Sequence, residues 1–363
     1  TISENGTLHT YGNTETDYQT DVLARKAADY ITSRAGSSQP FFLWLTPMAP
    51  HVPIGGNGRT PRYEDMFSSL ALPRPPSFNE VDILDKPSFI QRREAMSETT
   101  INNIQTDFRV QRKRLMAVDD MVKTVFDALQ SSDKLSNTVV IFTSDNGFFN
   151  GEHRIPTNKR LVYEESIRVP LVIRGPGIPG GEIRNNLVSN IDLPATILDF
   201  AKIVAPGRTV DGKSLIPLLI NPSTPWRTAI LMQGLDKFPP ASAPSLGTYQ
   251  AVRTDNYKYV EHTTANGVEK EFYNLRDDPY ELESQHNNVA YLPNINLLKN
   301  LLNTLKTCRG TSCWITSSES PSKPGDLNAD GKVDIFDYNL LVSKFGNPYT
   351  IFDYNQLVAN FGK

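Results

Sequence analysis

Over residues 41–46 the chain reads FFLWLT, an unbroken apolar run that stops at Pro47. A run of that length and continuity predicts a buried strand. Farther on, Leu115, Val118, Val122, Val125 and Leu129 recur at alternating spacings of three and four, which places one apolar stripe on a long helix. TVVIFT (138–143) predicts a second strand, ended by Ser144-Asp145-Asn146-Gly147, and residues 169–173 repeat the pattern before Gly175-Pro176-Gly177. Asp192 opens a short helix, DLPATILDFA, with Pro194 in its first turn, where a missing N–H costs least. Strand, helix, strand and short helix in alternation predict an α/β layered fold with a mostly parallel sheet.

Pro-rich loops around 217–246 mark a change of character. Beyond them, YQAVRTDNYKYVEH and EKEFYNL predict two strands around Ala265-Asn266-Gly267, a turn with Asn-Gly at its centre. LPNINLLKNLLNTLK predicts a helix. The chain therefore divides into an α/β domain over 1–225, a small antiparallel sheet packed with a helix over 226–315, a linker by composition over 316–325, and a tail over 326–363. The tail repeats itself. IFDYNLLVSKFG at 335–346 and IFDYNQLVANFG at 351–362 agree at nine of twelve positions.

Composition narrows the function classes. The chain has 363 residues and a formal net charge of −3, which leaves no electrostatic footprint for nucleic acid or anionic lipid. Hydrophobic residues at 39% and charged residues at 21% suit a folded chain rather than a disordered one. No apolar run approaches the roughly 20 residues that span a bilayer. The sequence starts at Thr1, without Met or a signal peptide, as a processed protein or a fragment would. Cys308 and Cys313 stand together in KTCRGTSCW, with no His nearby to complete a zinc site. A local disulfide is the preferred reading over two free thiols, and it implies an oxidising compartment.

Two places carry candidate chemistry. In DLNADGKVDIFD (326–337) oxygen ligands fall at loop positions 1, 3, 5, 9 and 12: Asp326, Asn328, Asp330, Asp334 and Asp337. Gly331 sits where such a loop turns sharply, and Lys332 would offer its backbone carbonyl. Hard oxygen donors without His or Cys select calcium; an acidic solvated loop is the alternative. The second place is the turn after 138–143, because ligands of open α/β sheets bind beyond the carboxyl ends of strands. Asp145 and Asn146 supply a carboxylate and an amide oxygen there, although an Asp-Asn-Gly turn can equally be structural. GEHRIPTNKRLVYEESIRVPLVIRGPG (151–177) concentrates His153, Lys159 and Arg160 just beyond it, and TPMAPH places His51 after another strand. A cation, a lysine and two histidines would suit cleavage of an anionic ester: the positive groups neutralise developing charge and a histidine protonates the leaving alkoxide.

FFLWLTPMAPHVP, FTSDNG, GEH, NKRLVYEESIRVPLVIRGPG and NIDLPATILDFA, in this order, resemble the formylglycine-dependent sulfatases. TISENGTLHTYG, DYQTDVLARKAADYI and the CRGTSC pair are most similar to the N-acetylglucosamine-6-sulfatase subgroup. The resemblance covers about residues 1–315. It implies an alkaline-phosphatase/sulfatase-like α/β/α sandwich, incomplete at its N-terminus, followed by a small antiparallel α+β subdomain. By position, Asp145 and Asn146 match the second half of the active-site calcium shell. Lys159 matches the lysine on sulfate oxygens, His51 the histidine near sulfate and leaving group, and His153 a substrate contact. The tail resembles a dockerin, a calcium-dependent module that binds cohesin partners, which implies a short helical EF-hand-like fold. The second copy lacks the acidic loop, so one calcium site is expected.

The family's nucleophile is a formylglycine made within C/S-x-P-S-R, and no such run occurs here. Cys308-Arg309-Gly310 lacks the Pro. Ser242-Ala243-Pro244-Ser245 is followed by Leu246 instead of Arg and lies after SDNG. The expectation is therefore the C-terminal portion of a secreted or cell-surface bacterial sulfatase acting on sulfated glycans, with formylglycine in a missing N-terminal segment and no activity alone. A phosphodiesterase or phosphonate hydrolase of the same superfamily, and a noncatalytic calcium-dependent attachment protein, are the alternatives.

Overall fold

The computed structural model describes residues 1–12, 14–51, 61–204, 207–234, 248–264, 266–316, 325, 333–343, 345–346 and 350–362. In chain order the elements begin with β1 (Ile2–Glu4), β2 (Thr7–His9), α1 (Gln19–Thr32), α2 (Ser88–Gln91), α3 (Glu98–Ser131), β3 (Val140–Thr143), α4 (Glu164–Ile167) and β4 (Leu171–Arg174). They continue with α5 (Asp192–Phe200), α6 (Ile216–Ile220), β5 (Ala229–Gly234), β6 (Thr248–Thr254), β7 (Tyr257–Thr264), β8 (Gly267–Asn274), α7 (Leu292–Leu305), α8 (Ile335–Ser343) and α9 (Ile351–Asn360). Two compact units result. The first comprises Thr1–Arg74, Met96–Thr143 and Pro170–Gly177; the second comprises Pro75–Ala95, Ser144–Val169 and Ile178–Lys363.

In the first unit Ser97 caps α3, accepting a hydrogen bond from the Thr100 amide at 3.3 Å, and 34 helical residues follow without Gly or Pro. The apolar stripe of this helix packs on α1. Val118 and Met121 meet Ala24, while Ala128 and Leu129 meet Ile31. β3 and β4 form as the sequence predicts, but they pair antiparallel, with Ile141 opposite Ile173 and Phe142 opposite Val172. The expected parallel arrangement is thus not seen among the described strands. A parallel pair needs a crossover to the opposite end of the sheet. Here the connection returns at the end it left, where the Thr143 hydroxyl donates to the Pro170 carbonyl at 2.9 Å.

Residues 41–46 are extended but join no ladder among the described residues. Phe41, Leu43 and Leu45 pack toward the α1 and α3 clusters, whereas Phe42 and Trp44 are 63% and 80% exposed. A continuously apolar strand implies cover on both faces, and these residues have it on one.

In the second unit β5, β6, β7 and β8 form an antiparallel sheet in sequence order. Leu298, Leu302 and Leu305 of α7 pack on Val252, Tyr259 and Phe272 of that sheet. The long run YQAVRTDNYKYVEH makes two strands rather than one, because Asp255-Asn256 forms a two-residue turn with Arg253 opposite Lys258. The Cys308–Cys313 disulfide is formed. In the tail, Val333, Leu341 and Leu357 make a small core between the two copies of the repeat.

The second unit also buries charge. Glu281 is 1% exposed and lies 2.6 Å from the Lys258 ammonium, which also reaches Glu164 at 3.0 Å. Burial, against the pull of Lys258, pushes the Glu281 carboxyl up to about 7. A carboxyl that holds its proton more tightly when folded loses stabilisation as pH rises from its unfolded value near 4.5 toward 7. Thermal denaturation between pH 5 and 8 should show this decline, and Glu281→Gln should flatten it. An unchanged slope in the variant would refute the assignment.

Candidate functional site

The turn after β3 is built from its own polar atoms. Ser144 Oγ donates to the Asn146 carbonyl at 2.9 Å, and the Asn146 amide N–H donates to Asp145 Oδ1 at 3.0 Å. The Asn146 side-chain nitrogen donates to the Gly147 carbonyl at 2.7 Å, leaving the side-chain oxygen as the donor a cation would use. Asp145 is exposed and Asn146 half-buried. Gly147 fixes the turn against α4. Its N–H donates to the Ser166 carbonyl at 2.8 Å, and a Cβ on it would stand 2.0 Å from the Glu165 carbonyl oxygen. Backbone cannot yield as a flexible side chain does. Gly147→Ala should therefore cost about 1–3 kcal/mol in urea denaturation, and a loss below a few tenths of that would show the turn to be slack.

The following loop carries the remaining groups. A bridge between Phe149 and Asn158 closes it, and the Phe149 N–H donates to the Asn158 carbonyl at 2.9 Å. Lys159, half-buried, thereby returns toward the segment that carries Asp145 and Asn146. Its own N–H donates to Asn158 Oδ1 at 2.7 Å. Among the described residues no carboxylate pairs with its ammonium. His153, Arg154 and Arg160 have φ of 52°, 56° and 78°, left-handed values that are costly for residues with a Cβ and concentrate at functional sites. The Arg154 guanidinium ties the loop down through the carbonyls of Glu80, Val81 and Arg93, at 2.7, 2.7 and 3.0 Å.

His153 departs from its expected place. The family resemblance makes it a substrate contact, yet its side chain is 0% exposed. Nδ1 lies 2.7 Å from Glu80 Oε2, Nε2 lies 3.7 Å from Glu165 Oε2, and the ring stacks on Tyr163 at 4.2 Å. Enclosed in this way, the ring faces carboxylates of the protein rather than solvent. Glu80, Glu165 and Ser77, which hold it, are missed by sequence reasoning, since isolated acidic and hydroxyl residues carry no signal of burial. His51 belongs to the first unit. It is exposed, its N–H donates to the Met48 carbonyl at 2.9 Å, and its own carbonyl accepts from the Arg114 guanidinium.

Asp145 and Asn146 offer the hard oxygens that calcium takes, but the ion needs six to eight. Among the described residues no group of three or more His, Cys, Asp or Glu could hold a metal. The donor chemistry fits and the donor number falls short. In the tail, Asp326, Asn328, Asp330 and Lys332 lie outside the described residues, as does Ser242. Asp334 and Asp337 are described, and both act at the start of α8. The Asp334 N–H donates to Asp337 Oδ2 at 2.9 Å, and Asp334 Oδ1 accepts from the Phe336 N–H at 2.8 Å. Asp353 makes the same contact with the Thr350 N–H at 2.7 Å in the second copy.

The chain is similar to several known proteins. The family model described as Sulfatase matches residues 2–203, and that described as N-sulphoglucosamine sulphohydrolase, C-terminal, matches residues 151–308. The N-acetylglucosamine-6-sulfatase of Bos taurus is 34% identical over 96% of this chain and 64% of its own length. That of Homo sapiens is 33% identical over 86% and 60%. The chain thus spans less than two thirds of the length of these curated relatives. A protein solved in complex with its substrate D-glucosamine-2-N,6-O-disulfate aligns with a TM-score of 0.69 at 24% identity, covering 80% of this chain and 69% of that one. A phosphonate monoester hydrolase from Silicibacter pomeroyi aligns at 0.64 and 23%, covering 80% and 60%. At these identities the two structures speak for a shared fold.

Proposed function

The chain belongs to the sulfatase family and has its alkaline-phosphatase-like α/β fold, and from that premise we propose that it supplies part of a site for sulfate esters of glucosamine-containing glycans. The observation that carries the reading is the Lys159 ammonium, which pairs with no carboxylate among the described residues and stands on a segment that the Phe149–Asn158 bridge folds back toward the turn of Asp145 and Asn146. Lys159 neutralises charge on the nonbridging sulfate oxygens, and His51 gives a proton to the departing alkoxide. Asp145 and Asn146 hold part of a calcium shell, the ion supplying further positive charge when bound. The substrate class is supported by the names of the relatives, which act on N-acetylglucosamine 6-sulfate by designation, and by the glucosamine disulfate of the structural neighbour.

Residues 1–363 contain no C/S-x-P-S-R run, so this chain by itself binds such esters without turning them over. Assaying it with an aryl sulfate and with N-acetylglucosamine 6-sulfate should give no product. Turnover that survives Ser242→Ala would overturn this account. The phosphonate hydrolase likeness favours a second reading in the same superfamily, and preferential protection of Lys159 from amine reagents by a phosphonate rather than a sulfate would support it.

The tail loop of Asp326, Asn328, Asp330, Lys332, Asp334 and Asp337 binds one calcium ion and tethers the chain to a cohesin-like partner. Loss of calcium binding in Asp330→Ala, with Asp145→Ala unaffected, is the expected result for that site. Extracellular sulfatase relatives from Caenorhabditis elegans and Drosophila melanogaster support a secreted or cell-surface location, and among the described residues no helix is long and apolar enough to cross a membrane.

A further inference from the structure

We propose that His153 is a positioning residue, an imidazole ring clamped between Glu80 and Glu165 that keeps the Lys159 loop and the Asp145–Asn146 turn in one register. The inference rests on the anion-site reading only for what those two segments do. The clamp itself is geometric. On one side the ring reaches Glu80 at 2.7 Å, whose carboxylate meets the buried Lys86 ammonium at 3.1 Å. On the other it faces Glu165 at 3.7 Å, an ion-pair separation longer than a hydrogen bond. Ser77 closes the arrangement, since its hydroxyl donates to Glu165 Oε1 at 3.1 Å and its carbonyl accepts the His153 N–H at 2.8 Å.

Glu165 is also the residue whose carbonyl leaves no room for a Cβ at Gly147, and the next carbonyl, of Ser166, accepts the Gly147 N–H. A shift of Glu165 is therefore felt directly at the turn. The Arg154 guanidinium, bound to the Glu80 carbonyl, couples the other partner to the loop that ends in Lys159. The left-handed backbone of His153 and Arg154 is the kind of strain that persists only where surrounding contacts over-determine it.

The groups facing the ring are Glu80 and Glu165 directly, Tyr163 across its face, the neighbouring buried Glu152, and Glu281 at longer range, with Lys86 behind Glu80. Burial pulls the imidazole down, but Glu165 and Glu80 outweigh it and raise it to about 9. The charge is thus present at neutral pH, and its contribution is lost as pH rises through about 9.

The test is a pH titration of the whole chain by NMR, reading the His153 ring carbons and the Gly147 and Lys159 amides. The expected result is a ring midpoint near 9, with both amides moving at the same midpoint in the wild type and not in His153→Gln. Amides of the β6–β8 sheet serve as the folding control. Ring titration without movement of the two amides would overturn the proposal. Should His153→Gln not fold, Ser77→Ala loosens Glu165 without stranding a charge and should shift the same two amides; their constancy would equally overturn it. Inorganic sulfate titrated into Lys159→Ala separates the two readings. Unchanged sulfate affinity there defeats the anion site while the coupled amide shifts still establish the clamp.

Discussion

Replacing Glu271 with alanine should destabilise the second unit by about 3–5 kcal/mol, the cost of breaking a buried, multiply bonded charge. Glu271 is 0% exposed. It accepts the Tyr163 hydroxyl at 2.7 Å and the Tyr273 hydroxyl at 2.5 Å, and its other oxygen lies 2.6 Å from His262 Nε2. All three partners are themselves buried, so each would keep an unmet polar atom that water cannot reach. Burial alone would push the Glu271 carboxyl up, but His262, Tyr273 and Tyr163 together bring it down to about 2. A depressed carboxyl contributes stability above its unfolded value near 4.5 and loses it as pH falls through about 2. Urea denaturation of Glu271→Ala against wild type should therefore show a gap that is widest at neutral pH and narrows with acid. A gap under about 1 kcal/mol at pH 7 would mean that the network relaxes around the missing acid.

Arg227→Ala should cost a comparable amount by the converse route, leaving an anion buried without its cation. The Arg227 side chain is 2% exposed and its guanidinium donates to Asp192, which is 0% exposed. Asp192 also accepts the Ser189 N–H at 2.7 Å and the Lys213 N–H at 2.8 Å, so one carboxylate joins the start of α5 to two other segments. The double variant Arg227→Ala, Asp192→Ala should be less destabilised than the sum of the singles, because it no longer strands a charge. Additive losses in a double-mutant cycle would place the energy in packing against Trp226 instead, whose ring lies 5.5 Å from the guanidinium.

What the sequence made legible follows the range of each interaction. The stripe on α3, the start of α5 with Pro194 in its first turn and the duplicated tail helices depend on neighbours within a turn or two, and these elements form where their periodicity places them. The direction of β4 depends on which end of the sheet the 144–169 connection returns to, and no local pattern encodes that. The apolar run at 41–46 reports composition, whereas strand formation needs a partner ladder. The Asp255-Asn256 turn was hidden because one alternating run continues through it. At the site the motif residues Asp145, Asn146 and Lys159 stand out by order and spacing. The inward turn of His153 does not, because Glu80, which draws it in, lies far upstream and looks like any solvated acid in the sequence.

The paired caps of the tail bear on how it answers to chelators. Each helix entry is closed by its own carboxylate on a backbone N–H, Asp337 on Asp334 and Asp353 on Thr350. The second copy manages this without any acidic loop. On the proposal that the acidic loop of the first copy binds calcium, a chelator would leave the helical content of α8 and α9 largely intact, so that circular dichroism would report little.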